Sequence, residues 1–140
     1  MKKILFFTIL LVIFSNTKLS AQNTPEELMD KFFVLFETNP SLAFDYVFST
    51  NKMIDLNQPE IQNLKDSFEK SRKVLGNYYG YETAKKLVAG TVYAKYYYVL
   101  KYERQPLKLE AIMYKPNNTW KILSVMCKES LDDCFEEIDK

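Results

Sequence analysis

The chain contains no histidine, and only two cysteines and three glycines in 140 residues. Without histidine there is no Ser-His-Asp or Cys-His catalysis and no His-containing zinc site. Cys127 and Cys134 are not spaced as a zinc or redox motif. Gly76, Gly80 and Gly90 are too scattered to form a loop that cradles phosphate. Asp132-Asp133 lacks the ligand spacing of a calcium loop. Net charge is also small: 19 bases against 18 acids leave +1 and no electrostatic footprint for nucleic acid. No cofactor and no metal are expected from this inventory, and carboxylate and tyrosine chemistry is what remains.

The first residues read as an address. Met1-Lys2-Lys3 is a short basic start, Ile4 to Phe14 is apolar except for Thr8, and Leu19-Ser20-Ala21 supplies small residues for a signal peptidase. The apolar run is shorter than the roughly 20 residues that span a bilayer. Residues 1–21 are therefore expected to be a secretory signal, and 22–140 a single exported domain, periplasmic or secreted. Cleavage removes Lys2, Lys3 and Lys18 and no acid, so the balance turns slightly negative. No later run is long enough to cross a membrane. In an oxidising compartment Cys127 and Cys134 are disulfide candidates, two free thiols being the alternative.

Three helices are expected next. Thr24-Pro25-Glu26-Glu27 is a helix start, with Thr24 as cap and Glu27 closing a capping box. Leu28, Phe32, Leu35 and Phe36 recur at helical spacing, and Asn39-Pro40 ends the segment. Ser41 to Phe48 is apolar nearly all round and reads as a short buried helix. Asn57-Gln58-Pro59-Glu60 opens the third, with Ile61, Leu64, Phe68 and Leu75 inside and Gly76 as the stop.

From Tyr78 the period changes to two. Antiparallel strands are expected at about 78–88, 91–103, 107–115 and 120–128, with tight turns at Ala89-Gly90, Arg104-Gln105 and Asn117-Asn118. Asn117-Asn118-Thr119 also matches a glycosylation sequon, although a hairpin turn accounts for it. Two-residue turns set Tyr98 opposite Ala111 and Tyr81, Tyr79 opposite Leu100, Ala111 opposite Ser124 and Met113 opposite Ile122. They also set Lys101 opposite Lys108, an unfavourable like-charge pair. Tyr96, Tyr98, Leu100 and Tyr102 then turn inward, and Tyr97 looks out.

The fold class is α+β: three N-terminal helices packed on a curved four-stranded antiparallel meander, with a short C-terminal helix capped by Ser130. Three stretches carry a resemblance: Leu75-Gly76-Asn77-Tyr78-Tyr79-Gly80-Tyr81-Glu82, Lys101-Tyr102-Glu103-Arg104-Gln105-Pro106-Leu107, and Tyr114-Lys115-Pro116-Asn117-Asn118-Thr119-Trp120-Lys121. With them the chain resembles the nuclear-transport-factor-2-like (cystatin-like, cone-shaped) superfamily, and within it small exported bacterial proteins. The resemblance implies the fold. It does not choose among the isomerases, dehydratases and non-catalytic binding domains that share it.

Three functional readings follow. In the first, Tyr46, Tyr81, Tyr98 and Ser124 line an inner cleft for a small apolar or amphipathic molecule or a peptide, because tyrosine hydroxyls stand beside small residues. The alternative for these rings is close-packed filling of the interior. In the second, Asp45 is the base of a carboxylate–tyrosine enzyme of the kind the resemblance implies; a solvated helix residue is the plainer account. In the third, Tyr97, Val99, Ile112, Leu123 and Val125 form an outer apolar patch and a homodimer interface. Lysine stems from Lys95, Lys101, Lys108 and Lys121 draped over that patch in a monomer are the competing account. The acidic end from Glu129 reads as a solvated terminal segment rather than a cation site.

Overall fold

A computed structural model describes residues 24–135; the expected signal, residues 1–21, lies outside the described residues. Helices α1 (Pro25–Thr38), α2 (Pro40–Ser49) and α3 (Pro59–Leu75) precede strands β1 (Tyr78–Ala89), β2 (Tyr93–Tyr102), β3 (Leu107–Tyr114) and β4 (Lys121–Lys128). The strands form one antiparallel sheet in chain order, so β1 and β4 are its two edges. This is the α+β architecture expected. A single 3-10 turn at Asp132–Cys134 stands where a short C-terminal helix was expected. Ser130 Oγ donates to Asp132 Oδ2 at 2.8 Å, so Ser130 braces a turn there.

Local chemistry explains the helix boundaries. Thr24 Oγ1 accepts from Glu27 N, and Glu27 Oε2 accepts from Thr24 N, closing the capping box. Asn39 serves two helices at once. Its N–H bonds Leu35 O and finishes α1, while its Oδ1 accepts from Leu42 N and starts α2, with Pro40 at the first helical position. Gly76 stops α3 with φ +80°, and a Cβ there would meet Glu103 Oε2 at 2.9 Å.

The helices bury one aromatic layer against the inner sheet face. Phe32, Phe36, Phe44 and Phe68 contact one another edge-on or tilted, with ring centroids 4.9 to 6.2 Å apart along the chain of contacts. Tyr96, Tyr98, Leu100 and Tyr102 meet this layer from β2, while Tyr97 lies on the opposite face, outside the core cluster. The alternation along β2 is therefore as expected.

The pairing register is not. Across β2 and β3, Leu100 faces Leu107 and Tyr98 faces Leu109, two residues from the expected register. The cause is tertiary. Glu103 N and Arg104 N donate to Asn77 O and Leu75 O, so this backbone closes onto the α3–β1 junction instead of forming a tight hairpin. Lys101 consequently does not face Lys108; it pairs with Glu82 across β1, and Val99 stands opposite Lys108. In β1 a bulge between Tyr78 and Tyr81 turns Tyr79 outward and brings Tyr81, not Tyr79, opposite Leu100.

In β4 the expected Met113–Ile122 pair forms, but Leu123 bulges out and Ala111 then faces Val125. The bulge has a clamp beside it. Asn51 Nδ2 donates to Ile122 O at 2.9 Å, and Ile122 N donates to Thr50 Oγ1 at 3.0 Å, so both backbone groups of Ile122 are held by the α2–α3 loop.

Candidate functional site

The four residues expected to line one cleft are dispersed. Tyr81 and Tyr98 do meet, with centroids 5.8 Å apart, and Phe33 of α1 packs against both, stacked on Tyr81 at 3.5 Å and edge-on to Tyr98 at 4.8 Å. Tyr46 lies on α2 under the Lys31 ammonium, 4.5 Å from its ring centre. Ser124 is carried past the bulge to face Ile112, and it lines a separate groove with Phe48, Ile54 and Ile61 at the β4 edge. Val125 takes the inward place that the tight-turn register assigned to Ser124, and Tyr98 is 3% exposed beneath phenylalanine rings. The interior beneath β2 is packed with rings.

Asp45 forms an ion pair with Lys65 of α3. Its partner is a lysine bridging two helices, not a tyrosine. Of the expected outer patch, Val125 belongs to the core and Leu123 is exposed on the bulge. Tyr97 is 6% exposed, because the chain after β4 returns over the outer sheet face. There Asp133 pairs with the Lys108 ammonium, which also lies 5.7 Å from the centre of the Tyr97 ring. Lys108 is held charged above its usual range by Asp133, although burial opposes this. Val99 and Ile112 remain half-buried, so the five residues do not form one continuous exposed surface.

Cys127 and Cys134 are free thiols, the alternative that the sequence left open beside a disulfide. The bulge accounts for this. It turns Cys127 inward opposite Leu109, to line a groove with Leu64 and Phe68 of α3. Cys134 lies by Lys108 and Lys85 on the outer side, where Lys85 pairs with Tyr97. The sheet stands between the two sulfurs.

The structure assembles a different site at the β1 edge. Asp30, Phe33, Val34 and Glu37 follow one another at helical spacing along one side of α1. Opposite them runs the bulged segment Tyr78-Tyr79-Gly80-Tyr81. Between the two lies an open groove of about 590 Å³, within the size range of small-molecule sites. Its floor is the Phe33–Tyr81 stack, and its exposed rim carries Val34 and Tyr79. The Tyr78 hydroxyl is buried and has no hydrogen-bond partner, the single such side-chain atom among the described residues.

Burial, with Tyr81 and Glu37 nearby, pushes the Tyr78 phenol well above its usual range. Burial and the Asp30 carboxylate do the same to Tyr81. Tyr96 and Tyr98 are likewise raised, first by burial. These rings are neutral phenols at ordinary pH. A neutral phenol is a potential hydrogen-bond donor with an apolar face, and not a phenolate base or nucleophile. The signals available in the sequence were Gly80 inside a strand pattern, which suggests a bulge, and the second stripe on α1. Comparisons with protein-family models, curated proteins and solved structures return no match for this chain.

Proposed function

We propose that this chain is an exported member of the nuclear-transport-factor-2-like superfamily and works as a non-catalytic binding domain for a small apolar or amphipathic molecule. The superfamily assignment is supported by the three-helix, four-strand α+β arrangement, and export by the pattern of residues 1–21. The ligand site of this reading is the groove between α1 and β1, not a hollow interior. One observation carries it: four aromatic residues, Phe33, Tyr78, Tyr79 and Tyr81, line one open groove, and one of them, Tyr78, has an unpartnered hydroxyl. A ligand group that accepts from the Tyr78 hydroxyl, or donates to its oxygen, would supply the partner it lacks. The enzyme reading has less behind it, since Asp45 is engaged by Lys65 and the groove tyrosines are raised away from catalytic range.

The test uses 4-phenylbutanol as a probe, followed by amide shifts of Tyr78 to Tyr81 in NMR titrations. Val34→Arg is the matched variant, because Val34 is exposed on the rim and its replacement leaves the core intact. Saturable shifts in the wild type that weaken at least tenfold in the variant, with the same unfolding midpoint, are the expected result. Absence of saturable shifts, or equal binding by the variant, rejects the reading.

A further inference from the structure

The same groove has charge of one sign. Of its eight lining residues Asp30 and Glu37 are the acids, and none is lysine or arginine. Neither acid takes part in an ion pair among the described residues, so no lysine or arginine neutralises this side of the groove. Glu37 lies in the last turn of α1, which has no basic residue. Two carboxylates without a basic neighbour in the lining therefore flank rings whose faces are also negative.

A metal ion is a poor match. Positions 30 and 37 are roughly 10 Å apart along the helix axis, whereas oxygens ligating one calcium ion lie within about 2.6 Å of it. An organic cation suits both features. Its charge is spread over a larger body, it stacks on aromatic faces, and its N–H groups reach carboxylates at the rim.

We infer that the ligand of this groove is an organic cation, an ammonium or guanidinium group on an apolar body, held between Asp30, Glu37 and the rings of Phe33, Tyr78, Tyr79 and Tyr81. The inference rests on the binding-groove reading and adds the sign of the ligand. Both carboxylates are exposed, so the attraction acts at the rim and is screened by salt.

Three probes with one apolar body separate charge from shape: 4-phenylbutylammonium, 4-phenylbutanol and 4-phenylbutyrate. Each is titrated against wild type, Asp30→Asn/Glu37→Gln and Val34→Arg. Both acids are exposed, so the double variant retains the fold, which circular dichroism verifies. The ammonium probe is expected to bind wild type at least tenfold more tightly than the carboxylate, with the alcohol between them. In the double variant the three affinities converge, and in the wild type added salt narrows the gap. If the alcohol binds wild type as tightly as the ammonium ion, the groove reading survives and the charge inference is overturned. A preference for the ammonium ion that persists in the double variant overturns it as well. If no probe binds, both fall together.

Discussion

Tyr97 and Tyr98 are chain neighbours on β2, both buried, and buried by entirely different means. Tyr98 lies under a layer of helices, in contact with Phe33 and Tyr81. Tyr97 lies under the returning C-terminal chain, beside the Lys108–Asp133 pair. The inner cover is aromatic and continuous through Phe32, Phe36, Phe44 and Phe68. The outer cover is thin and polar: Lys108 is 2% exposed, yet Asp133 across from it is more than half exposed. Equal burial therefore does not mean equal stabilisation. The inner face gains from apolar area removed from water and from close packing. The outer face exchanges hydrated charges for a paired charge, which returns little net energy.

The sharpest way to break this comparison is to damage each face in turn. Phe44→Ala removes a fully buried ring that touches Phe32, Phe36 and Phe68, and is expected to cost about 3–5 kcal/mol in denaturant unfolding. Lys108→Met keeps the stem and deletes the charge, and is expected to leave the unfolding midpoint unchanged or raise it. If the outer variant were as damaging as the inner one, the two faces would be energetically equivalent.

The sequence made one of these levels legible and hid the other. Period-two alternation is a property of the extended backbone itself, so the inward set Tyr96, Tyr98, Leu100 and Tyr102 was readable from local pattern. Register and bulges depend on distant partners. Leu75 and Asn77 accept from the β2–β3 turn, and Thr50 and Asn51 grip Ile122; no window of β-sequence contains that information. The bulge at Leu123 then moved Ser124 out of the expected cleft and Val125 into the core. Of the candidate site, Tyr81 alone carries over to the α1–β1 groove. Asp30, Val34 and Glu37 look like any solvated helix face until Tyr78 to Tyr81 are placed against them.

A smaller effect sharpens the comparison at the border of the two environments. Tyr96 points inward, but its hydroxyl reaches the rim and donates to Glu26 Oε1 at 2.7 Å, where Lys86 Nζ also donates at 2.9 Å. Burial pushes the Glu26 carboxyl up, but the bonds from Tyr96 and Lys86 outweigh it and hold the group below its usual range. A carboxyl with a lowered folded-state pKa stabilises above its unfolded value, near 4.5, and the contribution is lost as pH falls through the folded value. Tyr96→Phe is therefore expected to cost about 1 kcal/mol at neutral pH, at the low end for a charged acceptor because Glu26 is partly solvated. The gap between wild type and variant should close as acid protonates Glu26, and urea titrations at neutral pH and near pH 3 measure it. A gap that persists unchanged in acid would assign the loss to packing instead.

The smallest perturbation, one that alters no residue, separates the two faces by chemistry alone. Burial pushes the Cys127 thiol up to about 12 on the inner side, so at pH 8 only about one in ten thousand such groups is thiolate. Cys134 is also raised, first by burial, but the nearby Lys108 and Lys85 ammonium groups pull it back, and it sits in a short 3-10 turn outside the helical layer. Iodoacetamide is therefore expected to label Cys134 first and Cys127 more slowly. Oxidised glutathione is expected to leave a mixed disulfide on Cys134: the Cys134 thiolate attacks one glutathione sulfur and the other departs as the thiolate. Rapid closure of a Cys127–Cys134 bond would require the C-terminal chain to leave Lys108 and pass around the β4 edge. Observing that closure without loss of the native fold would show that the outer cover is not held where the Lys108–Asp133 pair puts it.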